Sequence, residues 1–223
     1  MPSVASAPFQ FRTRLTLTKL TGRQAADLPQ LVGHLRAVPL SVVFHHTHHF
    51  LVQHLHLSPE PPNDFAFWVT NVLQEDQLGE QLAAIDTVGF ATLAALRDRI
   101  VAVIEAYLEQ SRSLREAPPG EEFHFRDGIS FVLPTAYRVR TLEEFAEALR
   151  AVGAATIAYH LFEARLRLGA DDNDFSRWLE QALGEREAAA AIRRLDPYTF
   201  TMEGLRRRLI ELVAPGPAGR GAR

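Results

Sequence analysis

Cysteine is absent from this 223-residue chain. Its absence excludes disulfides, thiolate metal sites and a cysteine nucleophile. No window reaches the roughly 18 apolar residues that a membrane-spanning helix needs, and Met1 to Pro8 lack the basic start and the apolar stretch of a signal peptide. The sequence therefore predicts a cytoplasmic protein with no membrane partner.

Arginine supplies all the basic residues except Lys19, and the formal net charge of −3 is spread along the chain without a large block. A nucleic-acid-binding protein usually concentrates positive charge on one face, so we expect no nucleic acid partner. A phosphate-binding glycine loop, a Rossmann fingerprint and a serine nucleophile elbow are also missing from the sequence. These absences argue against ATP-dependent or dinucleotide-dependent chemistry.

The chain contains an internal duplication. Residues 9–12 (FQFR) align with residues 123–126 (FHFR), and this offset of 114 holds through His49. The first copy then has four extra residues, after which an offset of 110 aligns Asn63-Asp64-Phe65 with Asn173-Asp174-Phe175 and Trp68 with Trp178. A self-similarity of this length indicates two copies of one structural unit.

The patterning predicts a mainly α fold of two pseudo-symmetric tandem helical units packed into one body, with minor short extended segments at the start of each unit. Alternating apolar residues at Phe9 and Phe11, and again at Phe123 and Phe125, favour the extended segments. Helical spacing dominates the remainder. The predicted boundaries are 9–110 for the first unit, 111–122 for a linker, 123–213 for the second unit and 214–223 for a flexible tail.

Several residues are typical of helix starts or of the core. Asp27 before Pro29 predicts one helix cap, and Thr141 with Glu144 predicts a capping box. Asn63-Asp64 and Asn173-Asp174 are interpreted as further caps in preference to catalytic residues. The aligned Trp68 and Trp178 are interpreted as core side chains.

Histidine is concentrated in one place, because six of the nine histidines fall between His45 and His56. On a helix, His46 and His49 are neighbours at i,i+3, and the aligned positions of the second copy are His160 and Glu163. Imidazole and carboxylate ligands suit a divalent transition metal such as zinc, iron or manganese. The sequence therefore predicts a metal site between the two units, with His46, His49, His160 and Glu163 as ligands.

An alternative interpretation stays open. In it the protein is a non-catalytic interaction or scaffold module, and its histidines are structural. Helical imidazoles are often partly buried and satisfied by neighbouring groups, and the duplication then serves only to enlarge the core. The sequence identifies neither a reaction, a substrate nor an oligomeric state.

Five strings resemble an uncharacterised prokaryotic family, a domain of unknown function: SVVFHHTHHFL, SPEPPNDFAFWV, AYHLFEARLRL, NDFSRWL and RLDPYTF. The resemblance covers nearly the whole chain, and the two NDF…W segments that follow histidine helices are its most specific features. It implies a bacterial or archaeal cytosolic protein. It implies no activity, cofactor or catalytic residue.

Overall fold

A computed structural model describes residues 4–49, 62–111, 115–168, 172–196 and 199–214. Residues 215–223 of the predicted tail, and His54 and His56 of the histidine segment, lie outside the described residues.

The first repeat opens with a long strand, and five α-helices follow it within the described residues. A π-helical turn at His45–His49 directly continues the second helix. The elements are β1 (Phe9–Ala25), α1 (Leu28–Ala37), α2 (Leu40–Phe44), α3 (Asp64–Asn71), α4 (Asp76–Ala83) and α5 (Leu93–Gln110).

The second repeat also opens with a long strand, which helices follow. Its π-helical turn, Leu179–Leu183, continues the helix that carries Trp178. The elements are β2 (Phe123–Val139), α6 (Leu142–Ala151), α7 (Ala154–Leu161), α8 (Arg165–Leu168), α9 (Asp174–Trp178), α10 (Arg186–Arg193) and α11 (Met202–Val213).

The prediction of a mainly α fold with minor short extended segments is wrong. Each extended segment is a strand of 17 residues, and the two strands form an antiparallel sheet. Of the described residues, 56% are helical and 18% lie in strands, which is a mixture of α and β structure. The strands were underestimated because their middles bury no face: Leu17 and Phe131 are about half exposed, so the alternation that marks a half-buried strand ends early.

The chain divides into two compact units whose boundaries fall inside the strands. Residues 16–130 form the first unit, and residues 1–15 with 131–223 form the second. The start of β1 therefore packs with the helices of the second repeat, and the start of β2 packs with those of the first. The repeat boundaries 9–110 and 123–213 stay a prediction about the duplication in the sequence.

In the first unit, β2 supplies Phe123 and Phe125 to a core of helix side chains. The Phe123 ring stacks on Phe65 at 5.1 Å, and Trp68 meets its edge at 5.6 Å. The Trp68 indole N–H donates to the Glu121 carbonyl at 2.8 Å. The burial predicted for Trp68 is confirmed.

In the second unit, β1 makes the corresponding contacts. Phe9 lies 5.6 Å from Phe175 and 5.5 Å from Trp178, measured between ring centroids, and Phe11 lies 5.2 Å from Phe145. The Trp178 indole N–H donates to the carbonyl of Ala7, which precedes the strand, at 2.8 Å. Both units thus bury the paired phenylalanines of the repeated FxFR motif.

The predicted helix caps are largely confirmed. The side chains of Asp27, Thr141, Asn63 and Asn173 each accept a backbone N–H of the first helical turn. The box at Thr141 differs from the prediction, because Glu144 accepts the N–H of Arg140 and not that of the cap residue.

Helices α3 and α4 approach each other closely at Gly79. A Cβ built on Gly79 would lie 2.0 Å from Thr70 Oγ1, whereas a Cβ on the exposed Gly33 of α1 would meet nothing within 4 Å. We expect Gly79→Ala to lower the free energy of unfolding by about 1–3 kcal/mol through overpacking. We expect Gly33→Ala to raise it by about 0.5–1 kcal/mol through helix propensity. Urea denaturation of both variants measures this difference, and equal effects would contradict the close packing.

None of the helices in the described ranges is long and apolar enough to cross a membrane.

Candidate functional site

His46 is completely buried in the first unit, and both of its ring nitrogens are used. Nε2 lies 2.9 Å from the backbone N of Arg126 in β2, and Nδ1 lies 2.6 Å from Asp64 Oδ2. Because a backbone N–H can only donate, Nε2 is the acceptor and the ring proton is on Nδ1, from which it is donated to Asp64. The imidazole thereby fixes the start of β2 to helix α3.

Burial lowers the pKa of His46, and its hydrogen bond to Asp64, which acts in the opposite direction, does not restore it. Burial raises the pKa of Asp64, but the hydrogen bond from His46 and the charge of Arg126 outweigh burial and leave that pKa below its ordinary value. The Arg126 guanidinium also donates to Asp64 Oδ2 at 3.1 Å. The pair is therefore a neutral imidazole beside a carboxylate that a guanidinium compensates.

His160 makes the same two bonds in the second unit. The Arg12 N–H of β1 donates to Nε2 at 2.7 Å, and Nδ1 lies 2.7 Å from Asp174 Oδ2. The arrangement requires the same neutral tautomer as at His46. We call these two arrangements the His46–Asp64 dyad and the His160–Asp174 dyad.

Sequence reasoning missed both aspartates as partners of histidine. Asn63 and Asn173, one position earlier, are the residues that cap the helices, so the carboxylates in the first helical turn are available to the imidazoles. A signal was present, because the FxFR, histidine and NDF motifs all recur together in the two repeats.

His45 is buried next to the first dyad, and its Nδ1 has no hydrogen-bond partner among the described residues. Burial, followed by the neighbouring His46, His49 and Arg126, lowers the pKa of His45 to about 4, against 6.5 ordinarily. The His45 and His49 rings lie 5.0 Å apart. The second repeat has Tyr159 at the position of His45.

The four predicted metal ligands are divided between the two units, and His46, His160 and Glu163 contact other protein groups. His46 and His49 belong to the first unit, and His160 and Glu163 to the second. Glu163 Oε2 lies 2.7 Å from Arg14 Nε. Across the ranges that the structure describes, no group of three or more histidine and carboxylate side chains is arranged to hold a metal ion. Metal binding by these residues stays a prediction.

The second unit contains a pocket beside the His160–Asp174 dyad, with a volume of about 560 Å³. Its lining comes from the segment that leads into β1, from the start of β1, from the ends of α7 and α8, and from α9 with the π-helical turn that continues it. Apolar lining comes from side chains such as Pro8, Phe9, Leu168 and Trp178. Its larger polar lining residues are Gln10, Arg12, Tyr159, His160, Asp174, Arg177 and Gln181.

Two guanidinium groups line this pocket without an acidic partner. Within the described parts of the chain, neither Arg12 nor Arg177 has a side-chain hydrogen bond or ion pair. The corresponding residues of the first unit differ: Arg126 bonds to Asp64, and Phe67 occupies the position of Arg177. The two repeats thus share a dyad but differ in the charge available beside it.

The five sequence strings resemble an uncharacterised prokaryotic family, and comparisons with known proteins confirm this resemblance. The profile of DUF5752, a family of unknown function, matches residues 6–214. The chain is 32% identical to OrfY from Thermoproteus tenax, whose solved structure superimposes with a TM-score of 0.79 over 97% of this chain and 99% of that one. No curated protein is significantly similar in sequence. The chain belongs to DUF5752, a family of unknown function.

Proposed function

We propose that this protein binds a small anionic molecule in the pocket of its second unit. The observation that carries the proposal is the pair of guanidinium groups, Arg12 and Arg177, that line one pocket and lack acidic partners in the described residues. Guanidinium groups form strong, charge-assisted hydrogen bonds to carboxylate and phosphate oxygens. The pocket volume of about 560 Å³ lies in the range typical of small-molecule sites.

The His160–Asp174 dyad supports this proposal by positioning Arg12. The bond from the Arg12 N–H to His160 fixes the strand backbone where the side chain leaves it. Asp174 is the acidic residue that lines the pocket, and it accepts the Nδ1–H of His160. Among the described residues that line the pocket, the two arginines thus outnumber the one carboxylate.

The first unit serves a structural role in this proposal. Its Arg126 is already bound to Asp64, and Phe67 supplies no charge at the position of Arg177. We therefore expect one anion per chain despite the duplication.

Alanine variants test the proposal by isothermal titration calorimetry of tag-free protein with citrate and inorganic phosphate. We expect Arg12→Ala and Arg177→Ala each to weaken binding by about 10- to 100-fold, which corresponds to roughly 1.4–2.8 kcal/mol. Arg12→Ala keeps the backbone N–H that bonds to His160, so the dyad persists.

The matched control is Arg150→Ala, which removes an exposed arginine of α6 that does not line the pocket. We expect its affinity to equal that of the unmodified chain. Absence of anion binding, or an equal loss of affinity in all three variants, would overturn the proposed pocket.

Metal binding at His46, His49, His160 and Glu163 is a separate hypothesis, supported by the alignment of these positions in the duplication. The hydrogen bonds oppose it, because a metal at His46 or His160 would displace a strand N–H or an aspartate. Measurement of the metal content of tag-free protein distinguishes the metal hypothesis from the anion-binding proposal. Stoichiometric metal that His46→Ala and His160→Ala abolish would favour the metal hypothesis.

A further inference from the structure

We infer that the ligand of the second unit is a phosphate monoester whose organic part carries hydrogen-bond donors. This inference rests on the proposed anion-binding function and names the chemical class of the ligand. The lining that supports it comprises two arginines from separate elements and two side-chain amides, Gln10 and Gln181.

Two exposed arginine side chains line the pocket. Arg12 comes from β1 and Arg177 from α9, so two planar guanidinium forks from separate elements are available at one pocket. Each fork pairs best with two oxygens of one acceptor group. A carboxylate has only two oxygens, in one plane, whereas a phosphate monoester has three terminal oxygens arranged as a pyramid and carries about −1.5 to −2 charges at neutral pH. Phosphate therefore satisfies both arginines together.

Gln10 lines the pocket and is held in one orientation by three carbonyl groups. Its Nε2 lies within 3.1 Å of the carbonyl oxygens of Phe11, Thr135 and Tyr137. These three acceptors identify the amide nitrogen and leave Oε1 without a donor among the described residues, so that it is open to solvent or to a ligand. A hydroxyl or an N–H of a ligand is the group that such an oxygen accepts from, which supports donors on the organic part beside the phosphate.

The pocket is larger than a phosphate group alone requires. Its volume of about 560 Å³ is that of a site for a whole small molecule. Gln181 is exposed at the pocket and presents a second amide with no partner in the described part of the chain. These features indicate an organic part attached to the phosphate.

The test compares anions that differ in one feature, by calorimetry in buffer free of phosphate and sulfate. Glycerol 3-phosphate and glycerate have similar organic parts but different acids, and inorganic phosphate lacks the organic part. We expect glycerol 3-phosphate to bind at least about tenfold more tightly than glycerate. We expect Gln181→Ala to weaken binding of glycerol 3-phosphate by about three- to tenfold and to leave inorganic phosphate unchanged.

The outcomes separate this inference from the proposed function. Glycerate or citrate binding as tightly as the phosphate ester, with Arg12→Ala and Arg177→Ala still weakening it, would overturn the phosphate assignment and leave an anion pocket. Absence of binding by every anion would overturn both. Phosphate esters that bind equally well to Arg12→Ala, Arg177→Ala and unmodified protein would overturn both as well, because they would then bind elsewhere.

Discussion

We expect His46→Ala to lower the free energy of unfolding by about 3–5 kcal/mol. The substitution leaves the carboxylate of Asp64 and the N–H of Arg126 without their buried partner, and it opens a cavity among Phe65, Phe123 and Phe125. Each buried polar group that loses its hydrogen-bond partner costs about 1–3 kcal/mol, and the lost packing adds to this.

Urea denaturation followed by circular dichroism measures the effect, with His124→Ala as the control. His124 lies on the same strand as Arg126 but is exposed, so we expect its removal to change stability by no more than about 0.5 kcal/mol. His160→Ala is expected to resemble His46→Ala, because it breaks the same pair of bonds in the second unit. If His46→Ala and His124→Ala were equally stable, the dyad would not anchor the strand.

Acidification is the second change that we expect to lower the free energy of unfolding substantially. Burial holds the pKa of His45 at about 4 in the folded protein, against 6.5 ordinarily. Between these two values the unfolded chain binds a proton that the folded chain excludes, so stability is complete above about pH 6.5 and falls as the pH is lowered. Each pH unit in this window costs about 1.4 kcal/mol, which gives a loss of about 3 kcal/mol by pH 4. The pKa of His46, also lowered by burial, acts in the same direction.

The His45→Phe variant isolates this effect, because it removes the titrating ring and keeps an aromatic side chain. We expect urea midpoints at pH 7.5 and pH 4.5 to differ less for this variant than for the unmodified chain. At pH 7.5 the variant should be about as stable as the parent, since His45 Nδ1 has no hydrogen-bond partner in the described residues. An identical loss on acidification in both proteins would show that His45 is not responsible.

Local features of the fold were predictable from the sequence because they depend on neighbouring residues. The cap at Asp27, the caps at Asn63 and Asn173 and the burial of Trp68 all follow from short-range patterns and residue type. The length of β1 and β2 was not predictable, because strand pairing satisfies their middle residues without burying a side-chain face.

The candidate site was predictable only in part. His46 and His160 were recognised as special, but their aspartates were interpreted as caps because each follows a true cap residue. Arg12 aligns with Arg126, so the repeat alone gave no reason to predict that Arg12 binds a ligand and Arg126 does not. The difference between Phe67 and Arg177 was visible in the aligned repeats, but its meaning depends on a pocket that only the tertiary structure forms.

The most direct test of the anion site is a titration that follows the fluorescence of Trp178. Trp178 lines the pocket, whereas the aligned Trp68 belongs to the first unit. Trp68→Phe and Trp178→Phe are therefore matched variants, each with one fluorescent indole. In a titration with glycerol 3-phosphate, we predict a saturable change at one equivalent in Trp68→Phe and no change in Trp178→Phe. Equal responses from both variants, or a response only from Trp68, would contradict an anion site confined to the second unit.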